Sequence, residues 1–266
     1  MIRQPTAPTE RRSPSLAARV SSNLLRAPAF FLVTGIFGSF SLLASLFERE
    51  GRLQHRIARS WARVSLLTAG VRATVTGREN LRPRAIYAAN HTSFLDVPLI
   101  FAMLPFQFRI LAKQSLWKWP FIGWHLHRSG QIPIDEEKAD SSVAGLNRAL
   151  KVLKSGLPLV IFPEGGRTPD GRLQPFMNGP AYLAIRARVP VIPIAVCGAF
   201  GVLPMHGKHF VPGPVELRLG EPIETTGYTI REAEQLTARV RAEILELGGQ
   251  ADGQRDAQAV RAEQNR

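Results

Sequence analysis

The chain is poor in cysteine and poor in acid. Cys197 is its single cysteine, so no disulfide can close within one chain and nothing points to an oxidising compartment. Cys197 lies in the apolar run "PVIPIAVCG" and reads as a small buried residue. Asp and Glu total 21 against 34 Lys and Arg, for a net charge of +13 and a pI near 11. Such a deficit of acid favours a polyanionic partner: nucleic acid, an anionic membrane face or a phosphorylated substrate. Three catalytic signatures are also missing. There is no G-x-S-x-G elbow, no phosphate-binding P-loop and no G-x-G-x-x-G. A covalent serine mechanism therefore has no support. His125 and His127 lack other ligand types nearby, so no metal site is expected.

One stretch lacks charge altogether. Ala27 to Phe47 runs 21 residues without an ionisable side chain, and as a helix it reaches about 30 Å, the depth of a bilayer core. We read it as membrane-associated. A cleaved signal peptide and a buried helical hairpin are the competing readings. Residues 1–26 carry five arginines and Glu10, and residues 48–63 carry five arginines and two glutamates. Basic flanks on both sides give no clear orientation for a crossing helix, whereas a re-entrant or interfacial segment keeps both in the cytoplasm. Arg52, Arg56, Arg59 and Arg63 form one helical stripe. Leu53, Ile57, Trp61 and Val64 form an apolar stripe beside it, a pattern suited to an anionic membrane surface. The competing reading packs that helix on the core and leaves its arginines in solvent.

From about residue 71 the texture changes to short β-branched runs alternating with helical patterns. Strands are expected over 71–77, 84–90, 108–113, 130–135, 157–163, 189–196 and 215–220. Helices are expected over 94–104, 115–127, 138–155, 179–188 and 230–247. The implied fold is α/β: a mixed, largely parallel sheet of about seven strands covered by helices, with an N-terminal membrane-associated helical segment. Four regions follow: a basic polar N-terminus (1–26), a membrane-associated hairpin or anchor (27–68), the main domain (69–247) and a flexible tail (248–266).

Two loops carry residue types that do chemistry. Strand "AIYAAN" ends at Asn90, and His91 follows at the carboxyl edge of the sheet, where α/β proteins bind ligands. Asp96 is close enough in the chain to fix one imidazole nitrogen and leave the other as a general base. The plainer reading is a loop histidine plus an aspartate capping the next helix, with Pro98 in its first turn. The second loop is "VIFPEGGRTPDG", residues 160–171. Gly165 and Gly166 let backbone N–H groups approach an anion, and Arg167 can grip a phosphate with two hydrogen bonds. Glu164 can accept from a substrate hydroxyl or hold Arg167. The plainer reading is a glycine-rich turn with a surface ion pair. A third segment, residues 108–135, sets Trp117, Trp119, Phe121 and Trp124 close to Lys113 and Lys118. It reads either as a basic-rimmed apolar surface for lipid or an acyl chain, or as core.

These blocks together resemble the glycerolipid acyltransferases of the 1-acylglycerol-3-phosphate O-acyltransferase type. Their N-H-x-x-x-x-D motif is similar to Asn90–Asp96, with His91 as the histidine. Their F-P-E-G-[ST]-R-[ST] motif is similar to Phe162–Thr168, and their V-P-[IV]-[IV]-P-[IV] block to Val189–Ile194. The resemblance spans roughly residues 60–225. Two positions depart from it: Gly166 stands where Thr or Ser is usual, and Glu136 follows Asp135 where arginine is usual.

The resemblance implies an enzyme that moves a fatty acyl group from acyl-CoA or acyl carrier protein to the free hydroxyl of 1-acylglycerol 3-phosphate, giving phosphatidic acid. It implies His91 and Asp96 as catalytic residues. Substrate contacts are expected at Asn90, Glu164, Gly165, Gly166, Arg167, Thr168 and Lys113. No cofactor, metal or nucleic acid is implied. The expected partners are a lysophospholipid and an anionic membrane surface, with the catalytic domain on the cytoplasmic side of the cell membrane. Another lysolipid acceptor, such as lyso-ornithine lipid, keeps the same chemistry. A non-catalytic membrane-surface module is the reading from another class.

Overall fold

The computed structural model describes residues 15–48, 50–119, 121–134 and 139–249, with side chains omitted for 139–142. Asp135 and Glu136 lie outside the described residues, as do the first fourteen positions and the tail from residue 250.

The core is a seven-stranded sheet. Its strands are β1 (Val71–Thr76), β2 (Ile86–Ala89), β3 (Arg109–Lys113), β4 (Ile132–Ile134), β5 (Leu159–Ile161), β6 (Val191–Cys197) and β7 (Gly213–Leu219). They lie in the order β1-β7-β6-β2-β5-β3-β4, and every pair is parallel except β6 with β7. Each expected strand is therefore present, and the sheet is mixed and largely parallel as its alternation with helices implied.

Along β2 the period of two divides the core. Tyr87 and Ala89 join one apolar cluster and Ile86 and Ala88 the other, so both faces are buried. Beneath one face lie α3 (Arg52–Thr68) and α4 (Asp96–Met103). Beneath the other lie α6 (Ala139–Lys154), α7 (Gly179–Ala187) and α9 (Ala233–Leu247). A short helix α8 (Ala199–Val202) follows β6.

Before the domain, α1 (Leu16–Ser21), a π-helical turn (Ser22–Arg26) and α2 (Ala27–Ala44) make one helix, Leu16–Ala44. It begins ahead of the uncharged run, because Leu16, Val20, Leu24 and Leu25 extend the apolar surface backward. It is long and apolar enough to cross a membrane, yet it lies along the domain. Ser22 Oγ accepts from the Phe210 amide at 2.8 Å, Trp61 Nε1 donates to Thr34 Oγ1 at 3.1 Å, and Ser41 Oγ pairs with His125 Nδ1 at 2.9 Å.

On α3 the stripe read as suited to a membrane, Leu53, Ile57, Trp61 and Val64, is not the face turned to the core. Ala58, Ala62, Ser65 and Leu66 are buried, and small side chains let α3 approach the sheet closely. Trp61 of the expected stripe turns toward α2 instead. The helix expected over 115–127 is broken into a 3₁₀ turn (Gln114–Lys118) and α5 (Ile122–Arg128). Trp119 precedes a proline, and that ring forbids helical backbone at the residue before it; Trp119 is extended, at φ −82° and ψ 126°. Finally, Asp96 does not cap α4 from outside. It is the helix's first residue, and its carboxylate reaches backward.

Candidate active site

Three parallel strands, β6, β2 and β5, end together at the carboxyl edge. The registers Ile86↔Leu159 and Ile86↔Val191 place the loops after β2 and β5 side by side. That register brings His91 to Phe162 and Glu164, about seventy residues further on.

Asp96 is fully buried, and three donors converge on its Oδ2: His91 Nδ1 at 2.8 Å, Thr92 N at 2.7 Å and Ser93 N at 2.8 Å. Two backbone donors fix the carboxylate, so the carboxylate fixes the ring. An Nδ1–H held by a carboxylate leaves Nε2 with its lone pair. The His91 ring stacks on Phe162 at 4.0 Å between centroids and 21° between planes. Its side chain stays 16% exposed, enough for a substrate to reach Nε2. Ser93 Oγ accepts from Leu95 N and donates to Leu203 O, locking the turn from the far side.

Glu164 does not hold Arg167. Its Oε1 accepts from the His91 amide at 2.6 Å and its Oε2 from the Gln174 amide at 2.8 Å. The carboxylate therefore ties the second loop to the first. Burial pushes its pKa up from 4.5 to about 7, against the two N–H donors and Arg241, with Asp96 adding to the rise. A carboxyl that binds its proton more tightly when folded stabilises the fold below its ordinary value, and that contribution is lost as pH rises through the folded value. The melting temperature of the native chain is thus expected to fall, relative to Glu164→Gln, between pH 4.5 and about 7. Parallel melting curves for the two proteins across that window would refute it.

Arg167 stands apart from the carboxylates. Its guanidinium lies 3.7 Å over the Phe94 ring and has no salt bridge among the described residues. Burial lowers its pKa and the Asp96 charge works the other way. A half-buried cation resting on an aromatic face in the loop beside His91 has a guanidinium that can grip an anion. The sequence reading missed Phe94; its signal was a large apolar residue inside a polar turn, and it is 45% exposed.

Gly165 has φ 75°, a conformation glycine adopts without strain, and its N–H is taken by Phe162 O. Gly166 has open space where a Cβ would sit, so nothing steric excludes a serine or threonine there.

Asn90 and Thr168 point elsewhere. Asn90 does not face the site: Val196 N donates to its Oδ1 at 2.6 Å, and its Nδ2 donates to Val196 O at 3.2 Å. It extends the β2–β6 pairing by a side chain. Thr168 is fully buried; its N–H donates to His91 O at 2.8 Å and its hydroxyl to Asp170 at 2.7 Å. Lys113 is exposed at the carboxyl end of β3, two strands from β2, and no described contact joins it to His91. Among the described residues, no cluster of three or more His, Cys, Asp and Glu is placed to hold a metal ion.

A histidine oriented by a buried carboxylate, with an arginine that makes no ion pair among the described residues in the adjoining loop, is the arrangement found in proteins that move a proton at the edge of an α/β sheet. Comparison narrows this class. Residues 72–197 match the family model described as Acyltransferase. The chain is 31% identical over 218 residues to the 1-acyl-sn-glycerol-3-phosphate acyltransferase of Saccharomyces cerevisiae, covering 80% of this chain and 72% of that one. It is 31% identical over 215 residues to the chloroplastic 1-acyl-sn-glycerol-3-phosphate acyltransferase BAT2 of Brassica napus, covering 76% of this chain but 62% of that one. The chain thus spans less than two thirds of the length of the latter. The crystal structure of the 1-acyl-sn-glycerophosphate (LPA) acyltransferase PlsC from Thermotoga maritima superposes with a TM-score of 0.68 at 25% identity, over 85% of this chain and 96% of that one. The chain belongs to the acyltransferase family.

Proposed function

We infer that the chain acylates 1-acyl-sn-glycerol 3-phosphate at its free hydroxyl, with acyl-CoA or acyl carrier protein as donor. The observation that carries this reading is the His91–Asp96 pair at 2.8 Å, with Nε2 unclaimed and Arg167 close by. His91 Nε2 takes the hydroxyl proton as the oxygen attacks the thioester carbonyl. Asp96 stabilises the imidazolium that forms. The tetrahedral intermediate collapses, the C–S bond breaks, and the imidazolium returns the proton to the departing thiolate. The Gly166 N–H, which has no partner among the described residues, is a candidate donor to the oxyanion. Arg167 leaves Phe94 to hold the acceptor phosphate, and Lys113 approaches the same group from β3.

The outer face of Leu16–Ala44 is apolar and its inner face is fastened to the domain near each end and in the middle. A helix held in this way inserts along a membrane surface rather than through it. The site then opens at the cytoplasmic face of the cell membrane, where a lysolipid enters sideways.

A labelled acyl-CoA and acyl carrier protein assay against a panel of lysolipids tests the reading. Phosphatidic acid is the expected product. Release of thiol only with a phosphate-free lysolipid would overturn the acceptor, and no release with any would overturn the activity. Arg167→Ala is expected to raise KM for the phosphorylated acceptor by about 10–100-fold with a smaller change in kcat, since one bidentate charge-assisted contact is lost. An unchanged KM would remove its proposed role.

A further inference from the structure

A second apolar surface lies beside α2 and comes from a distant part of the chain. Trp119, Phe121, Ile122 and Trp124 are 62%, 67%, 48% and 58% exposed. The only buried residue of α5 is Gly123, whose Cβ position would come within 2.3 Å of Trp117 O. The helix therefore presses its one residue without a side chain against the protein and turns its bulky neighbours outward. That inverts the usual placement of aromatic residues in a soluble domain. The Ser41–His125 hydrogen bond fastens α5 to α2, so this shelf adjoins the exposed Phe40, Leu43 and Phe47.

Charge selects the occupant. From Val97 to Ile134 the sequence contains no Asp or Glu and four Lys and Arg. Of these, Arg109 is buried, while Lys113, Lys118 and Arg128 are exposed. Exposed tryptophans in a segment that carries cations and no acid match the headgroup layer of an anionic bilayer, and the acids after Phe47 are engaged by arginines, Glu50 by Arg52 and Glu48 by the charge of Arg109. The shelf also follows directly from the carboxyl end of β3, the same sheet edge that bears His91. We propose that Trp119 and the stretch Phe121–Trp124 form a second membrane-seating element, which enters the headgroup layer beside α2 and turns the mouth of the site toward lipid. It rests on the membrane reading above.

The test uses the full chain and its variant Trp119→Ser, Phe121→Ser, Trp124→Ser. Binding is measured by sedimentation with phosphatidylcholine vesicles that contain or lack phosphatidylglycerol. The triple variant is expected to bind the anionic vesicles about tenfold or more weakly, since several large apolar side chains leave the lipid. It is expected to keep normal transfer to a short-chain acceptor dissolved as monomers, which reports an intact fold. Lys118→Glu with Arg128→Glu is expected to erase the preference for phosphatidylglycerol and leave binding to neutral vesicles unchanged. In a parallel variant, Phe31→Ser with Leu32→Ser removes apolar surface from α2. If that variant weakens binding while the triple variant binds like the native chain, the proposal fails and the membrane reading stands. If the native chain binds no vesicles, both fail. If the triple variant only abolishes self-association, the shelf is a contact between copies and the proposal is overturned.

Discussion

His91→Ala is expected to lower kcat by about 10²–10⁴-fold, the usual worth of a positioned general base, with KM for both substrates little changed. The fold is expected to survive. The imidazole is partly exposed and its loss leaves an opening at the surface, not a void in the core. The Asp96 carboxylate keeps both of its backbone donors, Thr92 N and Ser93 N, so it is not stranded. Thiol release from acyl-CoA, measured beside a thermal melt, separates the two properties. Turnover near the native rate in a folded variant would reject the base assignment and the transfer mechanism with it.

Asp96→Asn is expected to reduce kcat by a large factor, though by no more than His91→Ala, because it acts through that ring. Its Oδ2 holds the Nδ1 proton of His91 at 2.8 Å. The amide oxygen keeps that place, since Thr92 N and Ser93 N need an acceptor there. The ring is then held, but the imidazolium loses its counter-charge. Asp96→Ala goes further, because two buried backbone N–H groups lose their acceptor, at about 1–3 kcal/mol each. The asparagine variant is therefore expected to fold and fail in catalysis, and the alanine variant to lose stability as well. Paired kcat and melting measurements test this, and a native kcat for Asp96→Asn would sink the account.

The strands were legible because each depends on its own short pattern. Val71–Thr76 and Val191–Cys197 are runs of β-branched residues that no helix accommodates as well. The histidine and its carboxylate were legible because only four residues separate them in one turn. Roles that depend on distant partners were not. Glu164 reads as a substrate contact until its oxygens are seen on the amides of His91 and Gln174. Asn90 reads the same way until Val196 is found opposite it. The third sequence block thus gains a structural meaning, since β6 supplies the backbone that holds the residue before the base. On α3 the face that packs on the core was not legible. A row of small residues packs as closely as a row of large ones, and only the neighbouring surface decides which is buried.

The sequence by itself determined the alternation of strands and helices, the single uncharged N-terminal run, and the presence of a histidine and an aspartate in one turn and of an arginine in a glycine-rich loop. These follow from propensity and side-chain chemistry, which act over a few residues. The tertiary structure alone decided that the loops after β2 and β5 lie together, that Arg167 rests on Phe94, and that two apolar surfaces far apart in the chain become neighbours. Those depend on strand register and on how helices pack across the sheet, and a chain's local pattern does not encode which of its distant segments will meet.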